Sequence, residues 1–472
     1  MPPRKSTLGN FSTPVSFGPI SSRVNEPRPD KLPHGIQNAY LFSAFNALSF
    51  QIVVGSPMVL YAKSLGASAT VLGIIAGMMP LLVISQIPAA SYINRIGYKR
   101  FVYAGWGTRV LFIFAIALVP LAGVLLDHGN QLALMIGLLF CFNLSRGISS
   151  CAWLPWITGL VPAGVRGKYL ASDAGVMNSA SFVAILLSGF VLGVEPHAWQ
   201  FAALFVFSAV AGAISLGFLK KIPDVPTPEN EPQGRGHVPW LEMLRHPPFW
   251  KLMRVIVAWS VAYGGMTAFT VAFLKARAGL PEGKVLMIAS VAFLGGLSSL
   301  WFVGSRLDRL GSKPVISVAL FLWLVVMSGW LAIAGGILPV SLTAIIALQF
   351  LMGLLAALVG MAANRLAMAI IPVMGRNHFF ALYSVLGNVT LGLAPIGWGV
   401  LIDAVGERHA QWLGLDWNRY TVFFAAAAGA FTVTLVLSRR LQEPEAVSME
   451  ELLKELLIES PQKFLLRFWP RN

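Results

Sequence analysis

Apolar stretches of about 20 residues recur along most of the chain, parted by short polar connections, and each is long enough to cross a hydrocarbon core of roughly 30 Å. A backbone in lipid must satisfy its own polar groups, so helices are the expected form. The pattern predicts spans near residues 38–62, 70–92, 101–125, 131–157, 169–193 and 198–219, and then 250–274, 284–304, 314–337, 341–368, 378–402 and 418–438. These are twelve spans in two sets of six. The break between the sets is rich in Pro and charge (Lys220, Lys221, Pro223, Asp224, Pro226, Pro228, Glu229, Glu231, Pro232) and reads as a solvated linker. The expected organisation is a disordered cytoplasmic tail over 1–36, a six-helix half over 37–219, a cytoplasmic linker over 220–249, a second six-helix half over 250–438 and a final tail over 439–472. The fold class that follows is an all-α membrane protein.

Composition agrees, since 56% of the 472 residues are hydrophobic and 12% charged, too apolar for a water-soluble chain of this length. Charge then sets the orientation. Lys and Arg crowd the N-terminal tail (Arg4, Lys5, Arg23, Arg28, Lys31) and alternate loops, at Arg95, Lys99 and Arg100, at Arg166 and Lys168, at Lys220, Lys221, Arg235 and Arg245, at Arg306, Arg309 and Lys313, and at Arg376. The opposite loops are nearly bare, the exceptions being Lys63, the group Lys275, Arg277 and Lys284, and the pair Arg408 and Arg419. Cationic loops stay on the cytoplasmic side, so both termini are expected inside a multi-pass protein of the cell (inner) membrane. The same distribution argues against nucleic acid as a partner, because the net charge of +15 is spread over every cytoplasmic loop instead of forming one basic patch. Anionic headgroups explain it better.

No enzymatic constellation appears. The seven histidines (His34, His128, His197, His237, His246, His378, His409) lie at loops or span ends without metal-ligand spacing, and neither a nucleophile elbow nor a phosphate loop is present. No metal and no cofactor is implied. Cys141 and Cys151 lie ten residues apart on one predicted helix, too far apart to bond each other, and read as buried apolar residues.

The chain repeats itself internally. Asn94-Arg95-Ile96-Gly97-Tyr98-Lys99 follows the second span, and Asp308-Arg309-Leu310-Gly311-Ser312-Lys313 follows the eighth, 214 residues later. Pro162, Arg166 and Tyr169 after the fourth span match Pro372, Arg376 and Phe379 after the tenth at a shift of 210, and Asn178 matches Asn388 at the same shift. Two six-span halves in parallel orientation follow. The run from Gly304 through Asp308, Arg309 and Gly311 to Lys313 resembles in full the Gly-x-x-x-Asp-Arg-x-Gly-x-Lys/Arg loop signature of the major facilitator superfamily. The earlier copy departs from it, with Ala90 for the Gly and Asn94 for the Asp, while Arg95, Gly97, Lys99 and Arg100 match. The resemblance covers roughly Gln37 to Ser438 and implies two pseudo-symmetric halves that rock about a central cavity to move a small solute. It implies a gating role for Asn94, Arg95, Gly97, Lys99, Arg166, Asp308, Arg309, Gly311, Lys313 and Arg376. A carboxylate beside Arg at a helix end can pair across the loop; the plain alternative for either copy is topogenic charge alone.

Polar residues inside spans are costly in lipid and usually face the bundle interior. Asn46, Ser49 and Ser56 form a stripe on span one, and Ser260, Tyr263, Thr267 and Thr270 form one on span seven, with Ser260, Tyr263 and Thr270 matching the first stripe at the 214-residue shift. Two such faces, with Asn178 and Asn388, are the expected lining of a substrate cavity; the alternative is that hydroxyls merely bond neighbouring helices. Arg146 lies midway through its span, facing either a cavity or backbone carbonyls. Arg109, about 12 Å from its inner helix end, is expected to snorkel to the cytoplasmic face. Acidic residues are missing from the span centres, with Asp173 close to the cytoplasmic start of span five. A cavity built on Arg146 would suit an organic anion. A coupling ion is left open, and a non-transporting membrane assembly or scaffold protein with the same fold is the alternative. The final tail opens on a capping-box pattern at Ser448 to Glu451 and continues as an amphipathic run suited to the inner leaflet.

The unequal loop signatures generate a prediction: Asp308→Asn should slow turnover more than Asn94→Asp alters it, because only the former removes an ion-pairing group. Solute flux measured for both variants checks this, and equal rates would contradict it.

Overall fold

The computed structural model describes residues 35–162, 165–226, 247–302, 311–370, 376–441 and 443. Twelve helices are long and apolar enough to cross a membrane. Spans 1 to 6 are Gln37–Ser64, Ala69–Ala90, Tyr98–Val124, His128–Ile157, Lys168–Leu192 and Ala198–Lys221. Spans 7 to 12 are Pro247–Ala276, Glu282–Leu300, Ser312–Ala334, Leu342–Ile370, Leu382–Val405 and Arg419–Ser438. Both sets start and finish on one side of the bundle, the terminus side, and the other is the far side. The expected N-terminal tail up to residue 34, most of the linker and the amphipathic C-terminal run lie outside the described residues.

Glycine marks the departures from straight helix. Span 1 breaks at Gly55, ahead of Pro57, and span 7 breaks at Gly264 and Gly265, where Gly265 has φ +80°. Gly97 and Gly311, at equivalent places in the two loop signatures, have φ of +86° and +79° and open spans 3 and 9. A side chain in that conformation is strained, which accounts for Gly at both positions.

The halves meet along two seams, span 2 on span 11 and span 5 on span 8. A Cβ on Gly73 would lie 2.2 Å from the Pro395 carbonyl oxygen, one on Gly77 2.1 Å from that of Gly392, and one on Gly399 2.4 Å from that of Ala69. In the other seam the Gly283 amide donates to the Gly193 carbonyl at 2.7 Å. At the far end of the first seam Asp403 accepts from the amides of Ala69 (3.0 Å) and Thr70 (2.8 Å), satisfying orphan donors at the start of span 2.

The far side also resolves three of the six cations that departed from the loop rule. Lys275 pairs with Glu282 at 2.6 Å, Arg277 with Asp416 at 2.6 Å and Arg419 with Glu407 at 2.7 Å. Asp416 lies on a hairpin of β1 (Ala410–Trp412) and β2 (Leu415–Trp417), turned through Leu413 and Gly414, both at positive φ. Burial pushes the Asp416 carboxyl up, but His409, Arg277 and Asn418 more than offset this and hold it below the ordinary carboxylate range.

Close backbone approach predicts a sharp difference between glycines. Gly73→Ala should destabilise the purified protein by about 1–3 kcal/mol, the usual cost of overpacking. Gly107→Ala, where a Cβ meets nothing within 4 Å, should not. Thermal unfolding in detergent reads the comparison.

Candidate functional site

Two adjoining cavities lie in the bundle and share Phe50 as a wall. The first, of about 170 Å³, is enclosed by spans 1, 3, 4 and 5 and lined by Phe42, Ser43, Asn46, Phe50, Trp106, Arg109, Arg146, Ser150, Trp153, Asp173 and Met177. The second, of about 350 Å³, lies between the halves. Gln51, Gly55 and Ser56 of span 1, Met79 and Pro80 of span 2, Tyr263, Gly264, Gly265 and Thr267 of span 7, and Asn388, Leu391 and Pro395 of span 11 line it. The breaks in spans 1 and 7 both face this space, where backbone freed from helical bonding borders a cavity within the protein instead of lipid.

Of the ten residues expected to line a substrate cavity, six border one of these two spaces. Asn46 and Arg146 fall in the first cavity, and Ser56, Tyr263, Thr267 and Asn388 in the second. Four line neither. Ser49 is fully buried against span 6, where the Ser208 hydroxyl donates to its carbonyl at 2.7 Å. Asn178 turns its amide to the Ala174 carbonyl at 2.9 Å and packs on Gly296 in the seam of spans 5 and 8. Ser260 and Thr270 are buried among packed side chains. For Ser49 the plain role of interhelical bonding holds.

Arg109 does not snorkel. It is 2% exposed, its Nη2 donates to Asn46 Oδ1, and its guanidinium lies 5.5 Å from the Trp106 ring centre and 5.6 Å from that of Phe142. An amide oxygen and two ring faces replace the water that snorkelling would have reached. Arg146, by contrast, lines the cavity with no hydrogen bond to a described residue. Asp173 faces the same cavity, and its Oδ1 is buried without a partner. Asp173 lies near the start of span 5, as expected, and what the sequence did not show is that it faces this cavity.

Among the expected gating residues, Gly97 and Gly311 form the turns described above, Arg95 is exposed, and Lys99 donates from Nζ to the Ile222 carbonyl at 2.8 Å. The Lys313 amide donates to Glu443 at 2.7 Å. Asp308 and Arg309, and the side chains of Asn94, Arg166 and Arg376, lie outside what is described. Glu443 escaped sequence reasoning. It also accepts from the Ser312 amide (2.9 Å) and from Arg365 Nη1 (2.6 Å), so it caps span 9 and ties it to span 10.

Twelve spans in two pseudo-symmetric halves around a central cavity define a solute transporter fold. The family model described as Major Facilitator Superfamily matches residues 39–336, and the chain belongs to that superfamily. Solved structures agree on the fold. The D-xylose–proton symporter aligns with TM-score 0.65 at 11% identity over 88% of this chain and 99% of its own. The xylose transporter XylE from E. coli, in an inward open conformation, aligns with TM-score 0.64 at 14% identity over 88% and 99%. The nucleoside transporter NupG aligns with TM-score 0.62 at 11% identity over 87% and 99%. No curated protein matches by sequence. Family and neighbours indicate a transporter rather than an enzyme.

The buried pair predicts opposite outcomes for two variants at one position. Asn46→Leu strips Arg109 of its acceptor and should cost about 1–3 kcal/mol or more, the penalty for an unsatisfied buried donor. Asn46→Asp supplies a charged acceptor and should be tolerated. Thermal unfolding of the purified variants checks the order.

Proposed function

We propose that the protein moves a small solute by alternating access, and that the solute is an organic anion or a neutral polar molecule that offers a carbonyl. The observation that carries this reading is the charge of the first cavity: two guanidinia, Arg109 and Arg146, against one carboxylate, Asp173. Arg109 is engaged by Asn46. Arg146 has donors to spare, and its planar fork suits two oxygens at once. The solute sits across the second cavity, held by Ser56, Thr267 and Asn388, with its acceptor end reaching past Phe50 to Arg146. Within a mostly apolar lining, the polar groups of Gln51, Ser56, Tyr263, Thr267 and Asn388 support transport over a scaffold role, for which large apolar side chains would be expected to fill the cavity.

The far-side contacts of Asp403 and of Gly193 with Gly283 fit a state closed on that side. The loop charges support cytoplasmic termini in the cell membrane, so the solute exchanges with the cytoplasm in this state. Should a proton be the coupling ion, Asp173 is the carboxylate placed to take it.

Reconstitution in proteoliposomes, with a panel of small organic anions and neutral solutes and with or without a proton gradient, tests the reading. Arg146→Gln should abolish flux while leaving the unfolding temperature near that of the parent, and Arg146→Lys should restore only part of it. Unchanged flux in the Gln variant would overturn the anion assignment.

A further inference from the structure

The outer surface of the second half holds a groove that the transport reading does not use. It lies between spans 9 and 12, encloses about 640 Å³, and is walled by Val318, Phe321 and Leu322 of span 9 and Leu435 of span 12. Phe321 is 59% and Leu322 39% exposed, so these side chains face what surrounds the bundle. At the terminus-side end the apolar wall gives way to Lys313 and Arg439. From Lys313 to Leu322 is nine residues, or about 13 Å of helix, enough for the upper part of an acyl chain.

Among the described residues the two cations have no counter-charge bonded to them. Neither the Lys313 ammonium nor the Arg439 guanidinium has a hydrogen bond or ion pair to a described residue. The nearby carboxylate, Glu443, is turned inward with a side chain 3% exposed, and it is taken by Arg365 and by the amides of Ser312 and Lys313. The helix start is thus already capped, and what remains open is a pair of side-chain charges at the top of an apolar slot. The other half shows the contrast. Lys99 stands 214 residues before Lys313 in the matching loop, and its Nζ is satisfied by the Ile222 carbonyl at 2.8 Å.

We propose that this groove binds one anionic phospholipid, its phosphate held between Lys313 and Arg439 and one acyl chain lying along Phe321, Leu322 and Leu435. A basic pair at headgroup level recognises the anion, and an apolar slot in register with it selects a lipid over a free ion. The site lies outside both cavities and does not depend on what the protein transports.

Native mass spectrometry of the full chain, released from detergent supplemented with phosphatidylglycerol or phosphatidylcholine of matched chain length, tests the proposal. The expected result is preferential retention of one phosphatidylglycerol, weakened about tenfold in Lys313→Gln/Arg439→Gln, on the order expected for two lost basic contacts. Lys99→Gln/Lys221→Gln should keep it. Leu322→Trp, which fills the slot and leaves both cations in place, should also lower retention, so the test does not rest on the charge variants alone. Equal retention of the two lipids, or retention unaffected by the double substitution and by Leu322→Trp, would overturn the proposal. So would displacement of the lipid by inorganic phosphate at comparable concentration, which would mark a site for the ion alone.

Discussion

The structure depends on backbones touching across the seams between its halves. In lipid there is no hydrophobic force to draw two helices together, so association rests on van der Waals contact and hydrogen bonds, and both need small residues. Gly73, Gly77, Gly392 and Gly399 bring spans 2 and 11 together, and Gly189, Gly193 and Gly283 do the same for spans 5 and 8. That closeness lets the Asp403 carboxylate reach two amides of span 2. With the seams carrying the contact between halves, spans 1 and 7 are free to break at Gly55 and Gly265 and to border an open cavity.

Charge inside the bundle is handled in three different ways. On the far side, Lys275, Arg277 and Arg419 each meet a carboxylate, and there the sequence rule for orientation is locally set aside. Arg365 meets Glu443, which also caps a helix, so the pair fastens spans 9 and 10 to the segment after span 12. Arg109 has no carboxylate bonded to it at all. A buried guanidinium held by one amide and two aromatic faces is a costly arrangement. Its presence beside Arg146 ties it to the cavity.

Hydropathy made the spans legible because lipid imposes a length and an apolar surface that few other environments share. The 214-residue repeat made the two halves legible, and it extends to the backbone, where Gly97 and Gly311 adopt the same positive φ. Side-chain roles were harder to read. The polar stripe on span 1 identified a face of the helix, but Ser49 and Ser56 lie seven residues apart and meet different neighbours, Ser208 for one and the cavity for the other. Periodicity gives direction around a helix and says nothing about the partner helix. Glu443 was invisible for a related reason, since its contacts with Ser312, Lys313 and Arg365 join segments 78 to 131 residues apart.

The same repeat shows where the halves have diverged. Shifted by 214, Arg109 falls on Trp323; shifted by 210, Arg146 falls on Ala356 and Asp173 on Tyr383. These three charges therefore have no charged counterpart at the matching positions of the second half. In place of Arg109, Trp323 stacks on Phe431 at 4.8 Å and meets Trp259 and Tyr263 edge-on at 5.8 Å. Tyr263 carries that aromatic cluster to the wall of the central cavity, opposite the side on which Phe50 screens Arg146. Two halves built on one plan thus differ in chemistry, with guanidinium inside the first half and a ring with a hydroxyl from the second on the wall of the central cavity.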